Sequence, residues 1–255
     1  MPVVHRFHAP DFIADGPIRL PDDEAQHLAR VLRLKPGDTI AIFNGKGREA
    51  VARVETVDAR KVVVRALEPR QPAAEPKVAL TLAQALLKSD KMERVIRDAV
   101  MLGVAAVQPF VSGRTDVPRA ALRTGVRQER WDRTVVSSVK QSGRAVVPPV
   151  RDAVDFQELL TIVSTQNAVE EKSLMFVEPS AAMSSAAVKE LRTLEGNPPQ
   201  QATILIGPEG GWDLEEVEAA ADAGVTLVTF GSRTLRADAA GAAAIVILQY
   251  MWNDQ

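Results

Sequence analysis

Residues 204–220 read ILIGPEGGWDLEEVEAA. The apolar run Ile204–Ile206 reads as a buried strand, Gly207-Pro208-Glu209-Gly210-Gly211 as a tight turn, and the segment after Asp213 as a helix. Asp213 and Glu216 stand at capping-box spacing, with Asp in the cap position. Glycines at a strand-to-helix turn let backbone N–H groups approach a ligand closely. In an open parallel sheet such a turn lies at the carboxyl end of a strand, where ligands bind. The turn is neither a Walker A loop, since no Gly-Lys-Ser/Thr follows, nor a GxGxxG fingerprint. A purely structural turn fits the same residues.

Outward from this stretch, strands and helices alternate. Val78–Gln84 is an apolar run, and Ser89 can cap a helix over Asp90–Leu102 that ends at Gly103. Val104–Phe110 reads as a strand and residues 126–142 as a long helix. Leu174–Val177, Thr203–Ile206 and Val225–Phe230 are further short strands, and a last helix runs from about Arg236 to Trp252. This rhythm predicts a mostly parallel sheet covered on both faces. Behind Phe230 comes GSRTLRADAAG (231–241), a polar loop opening an Ala-rich helix whose first charges are Arg236 and Asp238. An acid near the positive end of a helix is also an ordinary structural choice.

A boundary falls at PRQPAAEP (69–76). Before it, DDEAQHLARVLRL (22–34) has helical apolar spacing with acids in its first turn, and Pro36-Gly37-Asp38 is a turn. Thr39–Phe43, Glu49–Val57 and Lys61–Leu67 read as β-branched strands, separated by Asn44-Gly45-Lys46-Gly47 and by Asp58-Ala59-Arg60. The first unit is therefore predicted to be barrel-like, mostly β with one helix. His27 shares the apolar spacing and is expected to be partly buried.

The chain of 255 residues has no Cys and three His. That excludes a disulfide scaffold, a thiolate zinc site and a cysteine nucleophile, and gives a metal site no support. No apolar run approaches the ~20 residues of a membrane helix. A cytoplasmic protein without membrane contact is expected. The net charge of −2 is unevenly spread: residues 76–150 carry 13 basic and 6 acidic side chains, residues 151–255 carry 6 and 16. Much of the positive excess lies between Ser112 and Arg144, in Arg114, Arg119, Arg123, Arg127, Arg130, Arg133, Lys140 and Arg144. Such an Arg-rich stripe suits phosphate oxygens and nucleic acid. A solvated helix face with pairs such as Glu129–Arg133 gives the same composition. With few aromatics, base stacking as in an OB-fold groove is not expected.

Five segments in this order carry a resemblance: HLARVLRLKPGD (27–38), KMERVIRDAVMLGV (91–104), KQSGR (140–144), LIGPEGG (205–211) and GSRTLR (231–236). Over nearly its whole length the chain resembles the RsmE family, SPOUT-class enzymes that methylate N3 of one uridine in 16S ribosomal RNA with S-adenosylmethionine. The resemblance implies an α/β fold in two domains. Residues 1–72 would form a small PUA-like RNA-binding β-barrel, and residues 76–255 a SPOUT domain, a parallel sheet with a deep trefoil knot. It further implies a homodimer that acts on the small ribosomal subunit, with the last helix at the dimer interface.

By the same resemblance, the loops Ile206–Gly211 and Phe230–Arg236 cradle the cofactor, beside Val177-Glu178-Pro179. The implied cofactor residues are Val177, Glu178, Ile206, Gly207, Glu209, Gly210, Gly211, Phe230, Gly231, Arg233, Leu235 and Arg236. Arg6, Arg30, Arg33, Lys35, Arg114, Gln141 and Arg144 are implied to contact RNA. The family usually reads LRxETA where this chain has Leu235-Arg236-Ala237-Asp238-Ala239-Ala240, so a carboxylate is kept with a shorter reach and a hydroxyl is lost. Lys140 stands where the family often has Glu.

N3 of uracil carries a proton whose removal at neutral pH costs roughly 3 kcal/mol. The site therefore needs a base, or a cation that stabilises uracil O2 or O4. Arg144, Arg236 and Arg6 are the candidate cations; Asp238 and Glu209 are the candidate bases. Two other readings stay open: a SPOUT enzyme acting on a ribose 2′-hydroxyl or another base, and a non-catalytic RNA-binding assembly factor.

Overall fold

The computed structural model describes residues 5–13, 16–58, 61–88, 90–116, 125–164, 171–179, 188–196 and 198–254. Ala59, Arg60, Ser89, Arg119 and Arg123, invoked above, lie outside the described residues. The chain forms two compact units, Met1–Glu75 with Val136–Val147, and Pro76–Val135 with Pro148–Gln255.

In the first unit, β1 (Arg6–His8), β2 (Pro17–Arg19), β3 (Thr39–Phe43), β4 (Glu49–Asp58) and β5 (Lys61–Arg70) form one sheet in the order β1-β3-β4-β5-β2. Only β1–β3 is parallel. Register shifts at Val51/Ala52 and Val54/Thr56 bend the long β4–β5 pair. Alternate residues of these strands share one apolar core with Ala25 and Leu28. β1 and β2 are three residues each and carry too little periodicity to be read from sequence.

The single helix expected over residues 22–34 is corrected. α1 spans Asp22–Gln26, and His27–Val31 continues as a π turn. The wider turn closes with the Leu32 N–H donating to the His27 carbonyl at 3.0 Å. This change of period leaves His27 exposed rather than partly buried.

The second unit holds β6 (Ala79–Ala85), α2 (Lys91–Met101), β7 (Ala106–Val111), the start of α3 (Gly125–Ser142), β8 (Val154–Asp155), α4 (Phe156–Ser164), β9 (Glu171–Phe176), β10 (Lys189–Glu190), β11 (Gln201–Ile206), α5 (Leu214–Asp222), β12 (Thr226–Thr229) and α6 (Ala237–Met251). The strands form a seven-stranded sheet, ordered β10-β12-β9-β11-β6-β7-β8, and every pair is parallel. Ala83, Met175, Leu205 and Leu227 share a core with Leu159, Leu160 and Val163 of α4 and Val217 and Ala220 of α5. On the opposite face, Gly241 of α6 sits against Leu82, where an added Cβ would meet the side chain at 3.4 Å. Both faces are thus covered, which explains why these strands are continuous apolar runs. No helix among the described residues is long and apolar enough to cross a membrane.

Candidate active site

Three strands end level. Ile206 of β11 and Val228 of β12 both pair with Phe176 of β9. The chain leaves these ends as three segments, 177–179, 207–213 and 230–236. Together with Lys91 of α2 and Asp238 and Ala240 of α6 they enclose a cavity of about 420 Å³. That is the scale of a small-molecule site.

The glycine turn is held from all sides. The Trp212 indole N–H donates to the Phe176 carbonyl at 2.8 Å, fixing the turn to the end of β9. Its ring stacks on Phe110 with centroids 5.9 Å apart. Gly211 adopts φ +73°, a left-handed conformation that favours glycine, and a Cβ there would lie 2.7 Å from Glu178 Oε1, which would have to move. Arg114 donates from Nε to Asp213 at 2.6 Å and from Nη1 to the Gly210 carbonyl at 3.2 Å. Glu216 accepts from the N–H groups of Asp213 (3.1 Å) and Gly113 (2.8 Å), which completes the start of α5.

The cavity carries charges of both signs over an aromatic floor. The rings of Phe176 and Phe230 stack at 4.6 Å. Lys91 Nζ lies 2.9 Å from Glu209 Oε1, joining two lining residues 118 positions apart in the chain. Burial alone would raise the Glu209 carboxyl. The hydrogen bond and charge of Lys91, with backbone N–H groups that include that of Lys88, outweigh it and hold the carboxyl below its ordinary value. Asp238 is 11% exposed, in the first turn of α6, with Arg236 Nε at 3.3 Å and Arg94 Nη1 at 3.7 Å. Arg236 itself is 76% exposed.

Of the cofactor residues expected, Val177, Glu178, Ile206, Gly207, Glu209, Phe230, Arg233, Leu235 and Arg236 line the cavity. Gly210, Gly211 and Gly231 belong to the same loops without lining it. Gly210 backs onto Arg114, Gly211 onto Glu178, and Gly231 bends the second loop at φ +106°. Arg236 and Asp238 come together in the cavity. Lys91, Thr229 and Thr234 also line it and were not singled out from sequence; Lys91 was visible only as the first residue of a matching segment.

Arg144 belongs to the first unit, where it is buried and donates from Nε to both Glu75 oxygens at 3.0 and 3.1 Å. Arg6 lies in the same unit and is committed too. It donates to both Glu49 oxygens and to the carbonyls of Val139, Lys140 and Arg144 at 2.7–3.2 Å. Those five contacts use every N–H of a guanidinium, so Arg6 holds the fold and has no donor left for a phosphate. Arg30, Arg33, Lys35 and Gln141 are exposed. Other members of the basic stretch are ion-paired internally, Arg130 with Glu93 and Lys140 with Glu24.

Known proteins agree with this arrangement. A family model described as an RNA methyltransferase domain matches residues 74–249, and one described as an RNA methyltransferase PUA domain matches residues 20–67. The chain is 31% identical to ribosomal RNA small subunit methyltransferase E of Synechocystis, over 93% of its length and 74% of the relative's. With the same enzyme of Bacillus subtilis the identity is 28%, over 95% and 91%. The crystal structure of the enzyme from Neisseria gonorrhoeae, bound to S-adenosyl methionine, superposes with a TM-score of 0.86 at 31% identity, covering 98% of each chain. Parallel sheet, glycine-turn cavity and these matches together define an RNA methyltransferase with a PUA domain. The chain belongs to the ribosomal RNA small subunit methyltransferase E family.

Proposed function

We propose that this chain transfers the methyl group of S-adenosylmethionine to N3 of a uridine in 16S ribosomal RNA, in the cytoplasm and as a homodimer. The observation that carries this reading is the cavity between the glycine turn and the loop Phe230–Arg236, at level strand ends of a parallel sheet. The residues fit the cofactor. Phe176, Phe230 and Leu235 offer apolar surface to an adenine, Gly207 lines the cavity with the Trp212 ring seated where its side chain would be, and Lys91 and Glu209 supply charges of both signs. When bound, the cofactor supplies an electrophilic methyl group, so the protein's task is alignment and removal of the N3 proton. Arg236, exposed at the cavity rim, stabilises charge developing on a uracil oxygen. Asp238, 3.3 Å from Arg236, is the base that accepts the proton. The target base has to be unstacked to present N3.

Arg30, Arg33, Lys35 and Gln141 form the phosphate-contacting set in this reading, whereas Arg6 and Arg144 keep the first unit together and Arg114 keeps the glycine turn. The dimer reading is supported by α6, where Val246 and Tyr250, one turn apart, are exposed apolar side chains, Tyr250 at 73%. The deep trefoil knot expected of the SPOUT class belongs to this reading of the second unit.

Nucleoside mass spectrometry tests the reaction. Small subunits from a strain lacking this activity, incubated with the protein and S-adenosylmethionine, should gain one N3-methyluridine. Methylation of a ribose hydroxyl instead, or no product despite cofactor binding, would overturn the assignment.

A further inference from the structure

Six charged side chains line the cavity, Lys91, Arg233, Arg236, Glu178, Glu209 and Asp238. They are not equivalent. Arg236 and Asp238 pair along one wall, two residues apart, and Arg236 is largely in water. Glu178 lies over Gly211. Lys91, in the first turn of α2, and Glu209, in the glycine turn, both line the cavity and meet at 2.9 Å. Both are partly withdrawn from solvent, with side chains 28% and 33% exposed. Lys88, the neighbouring cation, is taken up by Asp116 at 2.6 Å.

A ligand that enters the cavity meets this pair in its lining and can open it. Opening it leaves a half-buried ammonium and a half-buried carboxylate without partners, which is costly unless the ligand replaces both. A ligand that does so carries a carboxylate and an ammonium at one end, which is a zwitterionic α-amino acid. This deepens the proposed function and rests on it, since S-adenosylmethionine ends in such a group.

We propose that Lys91 and Glu209 are the recognition pair for the amino-acid end of the methyl donor, Lys91 taking its carboxylate and Glu209 its ammonium. The pair fixes which end of an adenosyl ligand lies beside α2, and it selects against adenosyl compounds that lack the amino acid. Lys91 is thereby a specificity-determining residue of the cofactor site.

Isothermal titration calorimetry with two probes separates this from the parent reading. S-adenosylhomocysteine has the amino-acid end, and 5′-methylthioadenosine lacks it. Lys91→Gln and Glu209→Gln should each weaken S-adenosylhomocysteine about tenfold and leave 5′-methylthioadenosine within about twofold, because one charge-assisted hydrogen bond is removed from only one of the probes. An unchanged thermal melt shows that each variant is folded. Equal weakening of both probes, or no weakening of either, would overturn the assignment of the pair while leaving the cofactor site standing. Failure of the unaltered protein to bind either probe would overturn the cofactor reading itself, and this inference with it.

Discussion

The Trp212 indole N–H donates to the Phe176 carbonyl at 2.8 Å, and through that bond the glycine turn after β11 is fastened to the end of β9. Both residues border the cavity, and Phe176 also stacks on Phe230 of the second loop. One indole thus sets the spacing of all three segments that enclose the site. Trp212→Phe keeps most of the ring packing and removes the donor, leaving a buried carbonyl unsatisfied. We expect a loss of about 1–3 kcal/mol in chemical denaturation and weaker S-adenosylhomocysteine binding. Unaltered affinity with lowered stability would show that the bond serves the fold alone.

Two glycines with left-handed backbone should respond differently to alanine. At Gly231 an added Cβ meets nothing within 4 Å, so Gly231→Ala carries only the backbone term, which at φ +106° is at least about 1–2 kcal/mol. At Gly211 the methyl would also press on Glu178 Oε1 at 2.7 Å. Because that carboxylate can swing aside, Gly211→Ala should cost no more than Gly231→Ala in a urea melt, yet depress cofactor affinity further by displacing Glu178 within the cavity lining. The reverse order of affinities would remove Glu178 from any part in the site.

Arg6 and Arg30 offer a test of which cations meet RNA. Arg6→Ala strands Glu49, whose side chain is 1% exposed, with only Arg70 beside it at 3.0 Å. It should destabilise the protein by about 3–5 kcal/mol, yet leave the salt dependence of RNA binding unchanged wherever the variant is folded. Arg30→Ala should do the opposite: little change in stability, and a slope of log affinity against log salt reduced by about one. Filter binding across a salt series reads both.

His8 gives the first unit a pH dependence of known sign. Its burial lowers the imidazole pKa; Asp23 opposes that and Lys140 adds to it. A histidine whose folded value lies below 6.5 binds fewer protons folded than unfolded, so its stabilisation is fully present above 6.5 and is lost as pH falls through the folded value. In an NMR titration the His8 ring should turn over below 6.5. A midpoint above 6.5 would contradict the burial argument.

Much of the second unit was legible because its signals are local. The strand–turn–helix at 204–220 needs only apolar runs, glycines and the Asp213–Glu216 spacing, and each of these acts within a few residues. What was not legible depends on distance. No periodicity says that β11 lies between β9 and β6, although this order brings the two loops together. The sequence displays the guanidinium groups of Arg6 and Arg144 but not their partners, Glu49 and Glu75, which lie 43 and 69 residues away. A charge that looks available for phosphate is therefore consumed by the fold. Lys91 is the converse case, an unremarkable first residue of a helix until Glu209 is found facing it. At His27 the helical spacing predicts partial burial, but the π turn breaks that period and leaves the ring exposed.

The central claim is that the glycine turn 207–211 and the loop 230–236 grip the methyl donor between them. A crystal structure of this protein with S-adenosylhomocysteine tests it most directly. The account predicts ligand density in contact with both loops, beside Lys91 and Asp238. Density elsewhere on the molecule, or none at a ligand concentration that saturates binding in solution, would contradict it.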